Sequence, residues 1–146
     1  MTDGKPWLLG AGVMCIAAAV LHLGCIAGGP NWYRALGAGE AFASAAARGE
    51  RFPALVTSGI ATILGVWAAY AFSAAGYLPA LPLRRTVLVL IIAGLTARGL
   101  AIVAPDLWRP DLSYSFKFWS SAAVLVLAAC FAAGTRLAWQ ALSLKE

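Results

Sequence analysis

Two ionisable side chains stand inside runs that are otherwise apolar, His22 and Arg98. A histidine can pass a proton near neutral pH, and an arginine can hold an anion with a planar fork of donors. Glu40 is a lone carboxylate in the small-residue segment LGAGEAFASAAA, and with His22 it could share acid–base work. Arg34 follows Trp32 and Tyr33; Asp106, Asp111 and Tyr114 lie further along the chain. Brought together, His22, Arg34, Glu40, Arg98, Asp106, Asp111 and Tyr114 would line a polar cup. His22 and Glu40 are the candidate acid–base pair, and Arg98 the candidate anion contact.

The elements that must position these residues are long apolar runs. Hydrophobic residues make up 62% of the 146-residue chain and charged residues 12%. In water such a chain would expose large apolar patches, so a bilayer is the better solvent. Four runs reach the roughly 20 residues needed to cross the hydrocarbon core. They cover about 7–27, 52–75, 83–104 and 116–139, in a single integral membrane domain spanning 1–146. Pro6 and Pro53 sit at helix starts, while Gly28-Gly29-Pro30, Gly76 and Pro105 sit at stops. Alternating strand patterns are missing, and backbone in lipid must bond to itself, so the spans are helices. The first reads as a retained span, because its length suits a membrane crossing and no clear A-x-A cleavage site follows.

The expected fold is all-α: a transmembrane four-helix bundle, with a short interfacial or re-entrant helix between helices 1 and 2. Alanine-rich Ala35 to Arg48 supplies that short helix. Trp and Tyr gather near the run ends as an interfacial belt, with Trp67 and Tyr70 deeper. Ala61-Gly65-Ala69, Ala93-Ala97-Ala101 and Ala129-Ala133 repeat small residues every fourth position. Such ridges let helices approach closely, and could equally join copies of the chain into a homo-oligomer.

His22 and Arg98 fall in the same leaflet, because the first and third spans run in one direction. At about 1.5 Å per residue, each lies roughly 8 Å inside its boundary. A charged arginine at a helix centre costs about 2.5 to 3.5 kcal/mol on insertion scales, so Arg98 should turn inward to an acceptor. On the first span, Ala11, Cys15, Ala18, His22 and Cys25 share one stripe, a packed face or a cavity wall.

Other chemistries find little here. The net charge of +5 is scattered between runs, which suits headgroup anchoring and not nucleic acid. Cys15, Cys25 and Cys130 all lie in apolar runs, outside any CxxC or finger spacing, and read as small buried hydrophobes. His22 and Cys25 give two ligands on one face, short of a metal site, and no cofactor is expected. A single histidine excludes bis-histidine haem. Basic residues divide equally between the two sides, and the Arg84-Arg85 pair in a short loop favours cytoplasmic termini.

At LHLGCIAGGPNWYRALGAGE, LPLRR and FKFWSSAAVLVLAA the chain resembles a group of small, uncharacterised four-span bacterial inner-membrane proteins. The features that carry the likeness are His22, Gly29-Pro30, Tyr33-Arg34, Gly37-Ala38-Gly39-Glu40, Leu81-Pro82-Leu83, Arg98-Gly99 and Trp119-Ser120-Ser121. In layout it is loosely similar to DoxX-like four-helix membrane proteins. The resemblance implies a multi-pass protein of the bacterial inner membrane and brings no activity with it.

The leading expectation is binding of a small amphipathic or anionic ligand, such as a lipid, in the cup near His22 and Arg98. The alternatives are a membrane enzyme acting on a lipid-like substrate with His22 and Glu40 as acid and base, a small oligomeric transporter, and an accessory or structural membrane subunit.

Overall fold

The structure is a computed structural model, and it describes residues 4–104 and 112–143. Six α-helices follow one another: α1 (Lys5–Gly28), α2 (Pro30–Ala35), α3 (Glu40–Ala47), α4 (Phe52–Ala75), α5 (Arg84–Leu100) and α6 (Tyr114–Ser143). A 3-10 turn, Ala101–Val103, extends α5. Four of these elements are long and apolar enough to cross a membrane: Lys5–Gly28, Phe52–Ala75, Arg84–Val103 and Tyr114–Ser143. The described chain is a helical bundle with the composition of a multi-pass membrane protein.

Local chemistry sets the boundaries. Proline in the first turn opens α1 and α4, where its missing N–H costs nothing. Gly76 takes a left-handed conformation and closes α4. The connection between the first two spans contains two short helices where the alanine pattern predicts one. Gly29 (φ 67°) breaks the chain before Pro30, which starts α2. Gly37 (φ 74°) and Gly39 (φ 87°) then turn it again, so the second helix begins at Glu40.

Packing follows spacings of three and four along each span. On α4 the buried residues include Thr57, Ala61, Leu64, Ala68, Ala71 and Ala75. On α5 they are Arg84, Leu88, Ile91, Leu95 and Gly99. This seven-residue rhythm keeps one stripe against a partner along nearly parallel or antiparallel helices. α1 lies mainly on α4 and α5 on α6, and α1 also packs on α6. α4 and α5 meet only thinly, and no close backbone approach joins α1 to α5. The helices therefore run α4–α1–α6–α5 in space.

The α1–α4 contact depends on Gly12, where an added Cβ would lie 2.5 Å from the ring of Phe72. The Ala11, Cys15, Ala18, His22 and Cys25 stripe is the packed face of α1, every member buried or half-buried. The small-residue ridges divide. Ala61 is buried in the bundle, whereas Ala93 and Ala97 point outward from α5. Outward faces are aliphatic: Val20, Leu55 and Leu90 are each more than half exposed. In lipid these side chains keep an apolar environment, so packing alone must select the helix faces that meet.

Arg84 departs from the headgroup anchor expected of it. It opens α5 at only 3% exposure, and its Nε and Nη2 are buried with no hydrogen-bond partner among the described residues. Leu83 before it sits in the left-handed region (φ 53°), a strained position for a branched side chain that turns the chain into the helix.

Candidate functional site

Of the described residues expected to line one cup, Arg34 and Glu40 fall on one part of the bundle, Arg98 and Tyr114 on another, and His22 on α1. The first part is a cap built by α2 and α3 over the ends of α1 and α4. Arg34, in the last turn of α2, grips Glu40 at the start of α3 with two hydrogen bonds. Nε donates to Oε2 and Nη2 to Oε1, each at 2.8 Å. Ser44 donates a third bond to Oε1 at 2.8 Å. Hydrogen bonds from Arg34 and Ser44 hold the Glu40 carboxyl down to about 2, far below its ordinary value. The carboxylate is thus charged, engaged on both oxygens and facing solvent.

Below this pair lies a small apolar cluster. Tyr33 is 2% exposed and packs with Cys25 and Ala43, flanked by Ala38, Phe42 and Ala46. Its ring stands 6.2 Å from that of Phe42, which is 5.7 Å from Phe52. The Thr57 hydroxyl of α4 donates to Tyr33 Oη at 3.4 Å. Sequence alone places Tyr33 in the interfacial belt with Trp32. The structure separates them, leaving Trp32 exposed and Tyr33 as the pin that fastens the cap to α4. The periodicity of a six-residue helix is too short to reveal that burial.

The second part is the junction of α5 and α6. Arg98, in the last turn of α5, donates from Nη2 to Ser120 Oγ at 3.4 Å. Ser120 also donates to Lys117 O at 3.3 Å. Tyr114 opens α6 and is exposed. Asp106 and Asp111 lie outside the described residues. A bridge joins the two parts at Gly37, where an added Cβ would fall 2.1 Å from the Phe116 ring. Its positive φ and this close approach both favour glycine. Phe116 and Ser120 are one turn apart on α6. A track therefore runs from the cap through Gly37 and Phe116 to Ser120 and Arg98.

His22 stands on α1, and α6 separates that helix from α5. Its Nδ1 lies 2.7 Å from Ala18 O on its own helix. A carbonyl only accepts, so Nδ1 carries a hydrogen, and in the neutral ring the free lone pair is on Nε2. Among the described residues no hydrogen bond joins His22 to Glu40 or to Arg98.

Three groups missed by sequence reasoning emerge: Tyr33 with Thr57, Ser120 beside Arg98, and buried Arg84. The Arg34–Glu40 pairing had one signal, two opposite charges flanking the Gly-Ala-Gly turn. Comparison with protein-family models, curated proteins and solved structures returned no match.

Proposed function

We propose that this chain is an integral membrane protein that binds a small amphipathic ligand with an anionic group at the capped end of the bundle. Arg98 makes the charge contact. The observation that carries this reading is the position of Arg98, a permanently charged fork inside a span with Ser120 Oγ 3.4 Å from its Nη2. A guanidinium there favours an anionic group that replaces lost hydration. The Phe116 ring, one turn before Ser120 on α6 and packed at Gly37, offers an apolar contact for the rest of the ligand. Arg34 contributes less, because Glu40 already occupies its fork.

The resemblance to bacterial inner-membrane proteins, the cytoplasmic placement of the termini and a homo-oligomeric state are part of the same proposal. The acid–base alternative has weaker support. Glu40 is held as a carboxylate by three hydrogen bonds, and a carboxyl at about 2 is a poor proton donor near neutral pH.

The test is native mass spectrometry of the detergent-extracted protein beside Arg98→Leu and Glu40→Gln. The reading predicts a discrete anionic adduct that is lost in Arg98→Leu and kept in Glu40→Gln. An identical adduct pattern in the wild type and Arg98→Leu contradicts it.

A further inference from the structure

At the other end of the bundle, near the termini, one cavity lies between α5 and α6 and a second adjoins it along α6. The first, a shallow one of about 430 Å³, is lined by Ile92, Ala132, Thr135, Arg136 and Trp139. The second, about 380 Å³, is lined by Arg136, Leu137, Trp139, Gln140 and Ala141. They share Arg136 and Trp139. Ile92 and Ala132 give the first an aliphatic floor, and Gln140 with Arg136 gives the second a polar wall. A groove that is apolar toward the membrane interior and polar toward the helix end matches an amphiphile lying along the bundle.

Among the described residues, the charged side chains at this end are all basic. Arg136 is exposed and has no hydrogen-bond or ion-pair partner among the described residues. The Arg85 guanidinium lies 4.1 Å from the centre of the Trp139 ring and so borders the same groove. Arg84, next to it, is buried with two unpartnered nitrogens. The carboxylates among the described residues, Glu40 and Glu50, are both at the capped end, and Asp3 and Glu146 lie outside the described residues. Thr135 adds a polar group at the junction. It borders the first cavity at 3% exposure, and its buried Oγ1 has no hydrogen-bond partner among the described residues.

We propose that this outer α5–α6 groove binds a phospholipid with an anionic headgroup, its acyl chain over Ile92 and Ala132 and its phosphate at Arg136. Basic pockets between transmembrane helices bind anionic headgroups, and here Ile92 and Ala132 place an apolar track beside the cation. Arg85 adds a second positive charge, and the Trp139 ring forms the wall between chain and headgroup. The site is distinct from the one at Arg98, which lies at the opposite end of α5.

The experiment is a titration of the purified protein with phosphatidylglycerol and with phosphatidylcholine, read by native mass spectrometry. Arg136→Gln and Ala132→Phe are measured beside the wild type. Phosphatidylglycerol binds in preference to phosphatidylcholine. Arg136→Gln weakens it by about fivefold, the factor expected for one basic contact with an anionic headgroup. Ala132→Phe keeps every charge but fills the aliphatic floor, and it weakens phosphatidylglycerol as well. Equal binding of the two lipids, or unchanged phosphatidylglycerol binding in both variants, overturns the proposal. Binding that is lost in Arg98→Leu and unchanged in Arg136→Gln also overturns it, while leaving the site at Arg98 standing.

Discussion

The two ends of the bundle differ in how their described arginines are partnered. At the capped end, Arg34 is closed by Glu40 and Arg48 by Glu50 at 2.7 Å. A buried tyrosine holds that end together beneath the charges. At the end near the termini, Arg84 and Arg136 have no carboxylate partner among the described residues, and Arg85 lies over the Trp139 ring. The same element pair, α5 with α6, carries a cation at each end, Arg98 and Arg136. The difference teaches that net charge says little here. What matters is whether a cation is neutralised within the protein or left to be neutralised by its surroundings.

The largest expected effect breaks the capped end. Tyr33→Ala removes a fully packed ring and leaves Thr57 facing a void. We expect a loss of about 3 kcal/mol in reversible unfolding in mixed micelles, in the range of buried aromatic truncations. Hydrogen exchange should then rise in α2 and α3 before the spans. Loss spread evenly over all helices would mean the cap is not a separate unit.

The next effect is opposite in sign and sits at the other end. Arg84→Met replaces a buried, unpartnered cation with an apolar chain of similar length. Because buried ions carry a desolvation penalty that apolar residues avoid, stability should rise by about 1 kcal/mol or more in the same assay. A fall in stability would show that Arg84 is neutralised inside the protein, and the contrast between the ends would disappear.

The smallest effect is the pH response of the cap. The Glu40 carboxyl is lowered from 4.5 to about 2 by Arg34 and Ser44. A depressed carboxyl contributes stability that is present above the unfolded value and lost as pH falls through the folded one. Hydrogen-exchange protection of α2 and α3 should therefore hold above about pH 4.5 and decline from there toward pH 2. Glu40→Gln should flatten that decline. The contribution is modest, since both partners are exposed and screened.

Much of the fold was legible in the sequence because lipid imposes length and apolarity on a spanning helix. The expected second span, 52–75, coincides with Phe52–Ala75, where proline and glycine mark both ends. The stripe through Cys15 and His22 was legible from spacing alone. The site was less so. His22 and Arg98 share a depth, which sequence can show, but depth does not say which helices are neighbours. With α6 between α1 and α5, the two residues lie on helices that do not touch. Glu40 was a candidate lining residue of the cup, and the Gly37–Gly39 turn brings it to Arg34. The burial of Arg84 had no sequence signal, because an arginine at the start of a span usually marks the membrane surface. Asp106 and Asp111, two of the expected acceptors for Arg98, fall outside the described residues.

The contrast between the ends is tested most directly by a photoactivatable analogue of phosphatidylglycerol, crosslinked to the protein in nanodiscs and mapped by peptide sequencing. The account predicts crosslinks concentrated on α6 between Ala132 and Trp139 and on α5 around Ile92, with few on α2 and α3. Crosslinks spread evenly around the bundle, or concentrated on α2 and α3, would contradict it.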